Sequence, residues 1–119
     1  MEQQLINETK ESYFNYVNKI SRGCRLIAED LRQGKMAIAF QNIIDLAEGL
    51  NWLISVEDKM SQLNITVNSS IKEASEFFIE INIALEQENY ILVADLFEYE
   101  VQALFEASED WTFEKKVEN

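Results

Sequence analysis

Histidine and proline are absent from the 119 residues, glycine occurs three times and cysteine once. Each shortage removes a class of chemistry or structure. Without histidine there is no Ser-His-Asp or Cys-His catalytic arrangement and no Glu-x-x-His di-iron motif. A single cysteine excludes an intramolecular disulfide and a multi-cysteine zinc site. Cys24 also falls on an apolar stripe, where an inert buried thiol is the simple reading. Three scattered glycines make no phosphate-cradling loop. With no proline and so little glycine, almost nothing interrupts a helix. The short, evenly spaced strands and turn clusters of an all-β chain are missing as well. No apolar run approaches the roughly 18 residues of a membrane span. The opening MEQQLINETKES lacks the basic and apolar regions of a signal peptide. The expectation is a cytoplasmic protein without membrane contact, and no cofactor is implied.

What is present is apolar surface and negative charge. Hydrophobic residues make up 47% of the chain and aromatics 11%, too much for a disordered polymer. The length fits one domain, 1–119, able to bury a core without metal or disulfide staples. The net charge of −12 is lopsided, with −2 over residues 1–60 and −10 over 61–119. So acidic a surface repels phosphates, which excludes direct nucleic-acid binding as the natural role.

The apolar periodicity predicts four helices. Tyr13, Val17, Ile20, Cys24, Ile27 and Leu31 alternate at steps of four and three, placing a helix over about 7–32 that runs through Gly23; the first six residues have little pattern. The cations Lys19, Arg22, Arg25 and Arg32 decorate its polar sides, either as a solvated face or facing the acidic half. Gln33-Gly34-Lys35 forms a turn, with Gly34 suited to a left-handed helix end. The second helix carries Met36, Phe40, Ile43, Ala47, Leu50 and Ile54, widened by Leu46, Leu53 and Met60, and ends near Leu63. NITVNSS reads as a turn. Ser70 and Glu73 match a capping box before a third helix with Ile71, Ala74, Phe78, Ile81 and Leu85 inward. The fourth helix, about 90–110, has Tyr90, Ala94, Phe97, Val101 and Leu104 on one stripe. WTFEKKVEN follows as a tail from which Trp111 and Phe113 fold back.

A shift of 54 residues overlays the halves, Val17 on Ile71, Ile27 on Ile81, Gln33 on Gln87 and Met36 on Tyr90. The relative phase holds across both turns. The fold expected is therefore all-α, an antiparallel four-helix bundle built from two similar hairpins, about 7–63 and 70–110.

The segments YILVADLFEYEV and LRQGKMAIAFQNIIDLAEGLNWLI resemble stretches of small, uncharacterised all-helical proteins of Gram-positive bacteria, over roughly residues 27–106. That resemblance implies a helical fold and carries no activity or functional residues.

The fourth helix has a second apolar line, Leu92, Leu96 and Tyr99, with Asp95 and Glu98 between the lines. A helix packed on one side needs one stripe, so the second line either completes the core or meets a partner or a second copy. The leading expectation is a non-enzymatic protein-interaction module, homodimeric or bound to another protein through this surface, with Asp95 and Glu98 selecting a basic partner. Trp52, off the main stripe of its helix, is either a lid on the core or a partner anchor. Two alternatives stand beside this. One is an acidic mimic that occupies the nucleic-acid groove of a basic protein. The other is a Mg²⁺-dependent all-α nucleotide pyrophosphohydrolase using Asp45/Glu48 and Asp95/Glu98, carboxylates spaced to share a helix face. Against the last, no Lys or Arg flanks Asp95 in the sequence.

Overall fold

The computed structural model describes residues 2–116. Helix α1 spans Glu2–Arg32, α2 spans Met36–Gln62, strand β1 spans Ile65–Asn68 and α3 spans Ile71–Glu86. Next comes α4, Tyr90–Asp95, which continues through a π-helical turn, Leu96–Val101, into α5, Gln102–Glu106. These three form one fourth rod, 90–106. A 3₁₀ turn, Ala107–Asp110, leads to β2, Thr112–Lys115. The described chain is mostly helical, with a small sheet that the periodicity did not predict.

The apolar stripe of α1 is buried throughout, from Tyr13 to Leu31. That stripe faces α2 on one flank and the fourth rod on the other, while α3 packs on α4 and α2. In α2 the buried face is rotated from the one predicted. Ala39, Leu46, Leu53, Val56 and Met60 join Ile43 and Leu50 in the core, and Met36, Phe40, Ala47 and Ile54 are only partly covered. The helix meets neighbours on two sides, so its buried sector centres between the two lines seen in sequence. Upstream of Asn7, α1 already includes Glu2 to Ile6, with Gln3 donating to Asn7 and Gln4 to Glu8 at helical i,i+4 spacing.

NITVNSS does not form a simple turn. Ile65–Asn68 pairs antiparallel with Thr112–Lys115, with Ile65 opposite Lys115 and Val67 opposite Phe113. β-Branched and aromatic residues on both segments suit a pleated surface. The pairing carries the tail back to the body, as expected for its aromatic residues. Trp111 is buried against Phe105 with ring centroids 5.3 Å apart, and Phe113 meets Tyr13 edge-on at 5.1 Å. Lys115 closes β2; of the tail 111–119, residues 117–119 lie outside the described residues.

The capping box forms differently from the prediction. Ser70 makes no side-chain cap bond; the Ser69 hydroxyl accepts the Ile71 N–H at 3.3 Å instead. Asn89, which the sequence reading passed over, caps α4 by accepting the Leu92 N–H at 3.2 Å.

The two helix–helix turns match bond for bond. Gln33, Gly34 and Lys35 donate to the carbonyls of Glu29, Leu31 and Asp30; Gln87, Glu88 and Asn89 donate to those of Ile83, Leu85 and Ala84. Gly34 and Glu88, at equivalent places, both take positive φ, 76° and 56°. The correspondence changes within the fourth rod. Up to Ile43 and Phe97 the buried positions are 54 apart; beyond, Leu46 matches Val101 and Leu50 matches Phe105, 55 apart. The π turn absorbs the extra residue. It is also why Phe105, not Leu104, reaches the core.

Candidate functional site

The fourth rod faces the core with Val93, Ala94, Phe97, Val101 and Phe105. Of its second apolar line, Leu96 turns inward and is 8% exposed, whereas Leu92 is 41% and Tyr99 65% exposed. Leu96 therefore belongs to the core. The π turn begins at this residue, and its wider winding draws Leu96 and Phe97 inward together. Ile91, which lies on neither line drawn from sequence, is the most exposed large apolar residue among the described residues, at 78%. Ile91, Asp95 and Tyr99 follow at steps of four, so this surface alternates apolar and acidic groups.

Asp95 and Glu98 are not bare carboxylates. Arg32, in the last turn of α1, places Nη2 2.9 Å from Asp95 Oδ1 and Nη1 2.6 Å from Glu98 Oε2. The flat guanidinium fork spans two acids one turn apart, a geometry that lysine cannot reproduce. The close carboxylates, Glu98 first and then Asp95, raise the Arg32 pKa. The sequence placed no cation near Asp95; the packing of α1 on the fourth rod supplies one from 63 residues away. One of the α1 cations thus does face the acidic half within the molecule. A basic partner reaching Asp95 or Glu98 must compete with Arg32.

Trp52 sits elsewhere, on α2, 39% exposed, with its ring edge-on to Tyr16 at 6.1 Å. It lines a groove of about 580 Å³ between the two long helices together with Leu5, Ile6, Val56, Met60 and Leu63. It is both a cover for Tyr16 and a groove wall. Tyr16 itself lies across Gly49, where any Cβ would overlap its ring and hydroxyl. Burial first, and then nearby Asp45, push the Tyr16 phenol pKa up.

A polar knot that the sequence reading missed joins α1, α2 and the start of α3. The Tyr13 hydroxyl donates to Glu57 Oε2 at 2.6 Å, and the Ser69 hydroxyl donates to the same oxygen at 2.7 Å. Burial is the main cause of a raised Glu57 pKa, against which the two hydrogen bonds act. The signal was available, because Glu57 interrupts an apolar run of steps through Leu53 and Met60. Cys24 is buried and its thiol is pushed up to about 12 by desolvation, which leaves no thiolate at neutral pH.

Among the described residues, no group of three or more Cys, Asp or Glu is disposed to hold a metal ion, and no helix is long and apolar enough to cross a membrane. A family model covers residues 8–110. The chain belongs to the family described as a domain of unknown function, DUF8042. The family region takes in both matched turns, the Arg32 cluster, Trp52 and the whole fourth rod, and it stops before β2. No curated protein and no solved structure matches the chain.

Proposed function

We propose that this member of the DUF8042 family is a non-enzymatic protein-interaction module. In this reading its helices form an antiparallel bundle of two similar hairpins that presents the surface of the fourth helix to a basic protein partner in the cytoplasm. One observation carries the reading: Ile91, Leu92 and Tyr99 stand exposed, at 78%, 41% and 65%, on a rod whose opposite face is fully packed. Large apolar side chains grouped beside acids suit a specific interface, where the apolar contacts supply affinity and the charges choose the partner. Glu88 and Glu100, on the same rod or its leading turn, are also exposed. The lone thiol, buried and without a disulfide partner in the chain, fits a reducing compartment.

Neither alternative gains a comparable observation. The acidic-mimic reading rests on charge alone. The pyrophosphohydrolase reading needs free carboxylates for Mg²⁺, and Asp95 and Glu98 already hold a guanidinium.

The test pairs Leu92→Glu with Tyr99→Glu, both at exposed positions, and leaves Leu96 intact because charging it would damage the core. Tagged wild-type protein captures a stoichiometric basic partner in this reading, and the paired variant does not, with circular dichroism and melting temperature unchanged. Equal capture by both proteins refutes it.

A further inference from the structure

Both apolar grooves of the first hairpin lie along one face. The first is the space walled by Leu5, Trp52 and Leu63. The second, of about 250 Å³, is lined by Tyr16, Gly23, Leu26 and Leu46. On α1 the lining runs Leu5, Thr9, Ser12, Tyr16, then Lys19, Gly23 and Leu26. These steps alternate between four and three, so the two grooves follow one face of α1 and are parted where Tyr16 crosses to Gly49 of α2. The floor of this parted seam is kept low by small residues: Gly23 has open space where a Cβ would stand, and Gly49 lets Tyr16 lie flat. Leu5 is 63% exposed at one end.

Two further facts favour a second copy of the chain over this face. The chain is elongated, 52 × 24 × 21 Å, with a radius of gyration of 15.7 Å, against about 13.5 Å for a compact domain of this length. The second fact is charge. The molecule carries −12, so two copies repel wherever acidic surfaces meet. The seam is nearly balanced, with Glu2, Glu8 and Asp45 against Lys19 and Lys59. Moreover the signs alternate between its walls. Where α1 brings Glu8, α2 brings Lys59; where α1 brings Lys19, α2 brings Asp45.

We infer that the outer seam of the α1–α2 hairpin is a self-association surface that receives a second copy of this chain about a two-fold axis parallel to the helices. Such an axis lays α1 of one copy over α2 of the other at the same height. Glu8 then meets Lys59 and Lys19 meets Asp45, each pair occurring twice, as an isologous interface requires. The fourth rod stays open in this dimer, so its partner surface is independent of it.

The test is sedimentation velocity across a hundredfold concentration range. The expected mass is twice 13.9 kDa at the upper end. Leu5→Glu, at an exposed position, and Gly23→Gln, which fills open space and improves helix propensity, each return the single-chain mass with unchanged helical content. Leu92→Glu leaves the dimer intact. Lys59→Glu weakens the dimer at least tenfold, and adding Glu8→Lys restores it. A single-chain mass throughout overturns the inference, as does a dimer that survives both seam variants or one lost only with Leu92→Glu. A Lys59→Glu variant without effect overturns it too.

Discussion

Gly49→Ala tests the packing of the first hairpin most sharply, because local and tertiary effects oppose one another. In the interior of an exposed helix, alanine is favoured over glycine by about 1 kcal/mol. Gly49 lies mid-helix in α2, so propensity alone makes the substitution stabilising. The structure argues the opposite sign. A Cβ at this position would overlap the Tyr16 hydroxyl and ring, and the stiff ring can escape only by swinging away from the hairpin. That movement breaks the edge-on contact with Trp52 at 6.1 Å, an arrangement worth about 0.5–1.5 kcal/mol beyond area burial. Overpacking of this kind costs about 1–3 kcal/mol in all. The net effect is a loss of about 1 kcal/mol, a few degrees in melting temperature for a chain of this size. In a Tyr16→Ala background the obstacle is gone, and the same substitution should stabilise by about 1 kcal/mol. The pairwise coupling is thus about 2 kcal/mol, readable from urea melts of the four proteins in the cycle. Gly23→Ala is the control, since nothing lies within 4 Å of its Cβ position, and it should raise stability. A Gly49→Ala protein that gains stability as Gly23→Ala does would refute the argument.

Further outcomes follow from the same structure. Glu88 holds φ at 56° where the matching turn has glycine; Glu88→Gly should stabilise by about 1 kcal/mol and Gly34→Ala should destabilise by about as much, measured by thermal melts. Glu57 is raised above its ordinary 4.5 mainly by burial. The folded state then holds more protons than the unfolded one just above pH 4.5, so this group's contribution to stability falls as pH rises through that window. Glu57→Gln removes that dependence, and its melting temperature should gain on wild type between pH 4 and pH 7; a relative decline would show that the hydrogen bonds from Tyr13 and Ser69 outweigh desolvation. Cys24 should resist a thiol reagent at neutral pH until denaturant is added, and rapid labelling of the native protein would contradict its burial.

The parts of this fold legible in sequence are those written in consecutive residues. The stripe from Tyr13 to Leu31 and the turn at Gly34 are local, and both occur as read. What stayed hidden was set at a distance. Ile65–Asn68 and Thr112–Lys115 are four residues each and meet across the chain, so neither carries a period long enough to read. Arg32 finds Asp95 and Glu98 only once α1 lies on the fourth rod. The second apolar line, left open between core and partner surface, divides: Leu96 joins the core, while Leu92 and Tyr99 stay exposed. A helical wheel assumes uniform winding, and the π turn violates it within that line. Ile91 lay outside both lines for a different reason: it precedes the π turn, and a wheel ranks residues by their place on a stripe, whereas this residue is on none.

An added residue in an ordinary helix rotates all that follows by about 100°. Downstream of the π turn, such a rotation would swing Phe105 and Trp111 out of the core and aim β2 away from β1. Leu96–Val101 is therefore a gauge of length tolerance. It marks where the chain can gain or shed one position while everything beyond keeps its bearing. Removing the exposed Glu100 should tighten the segment to regular α-helix and leave the closing strand able to find its mate.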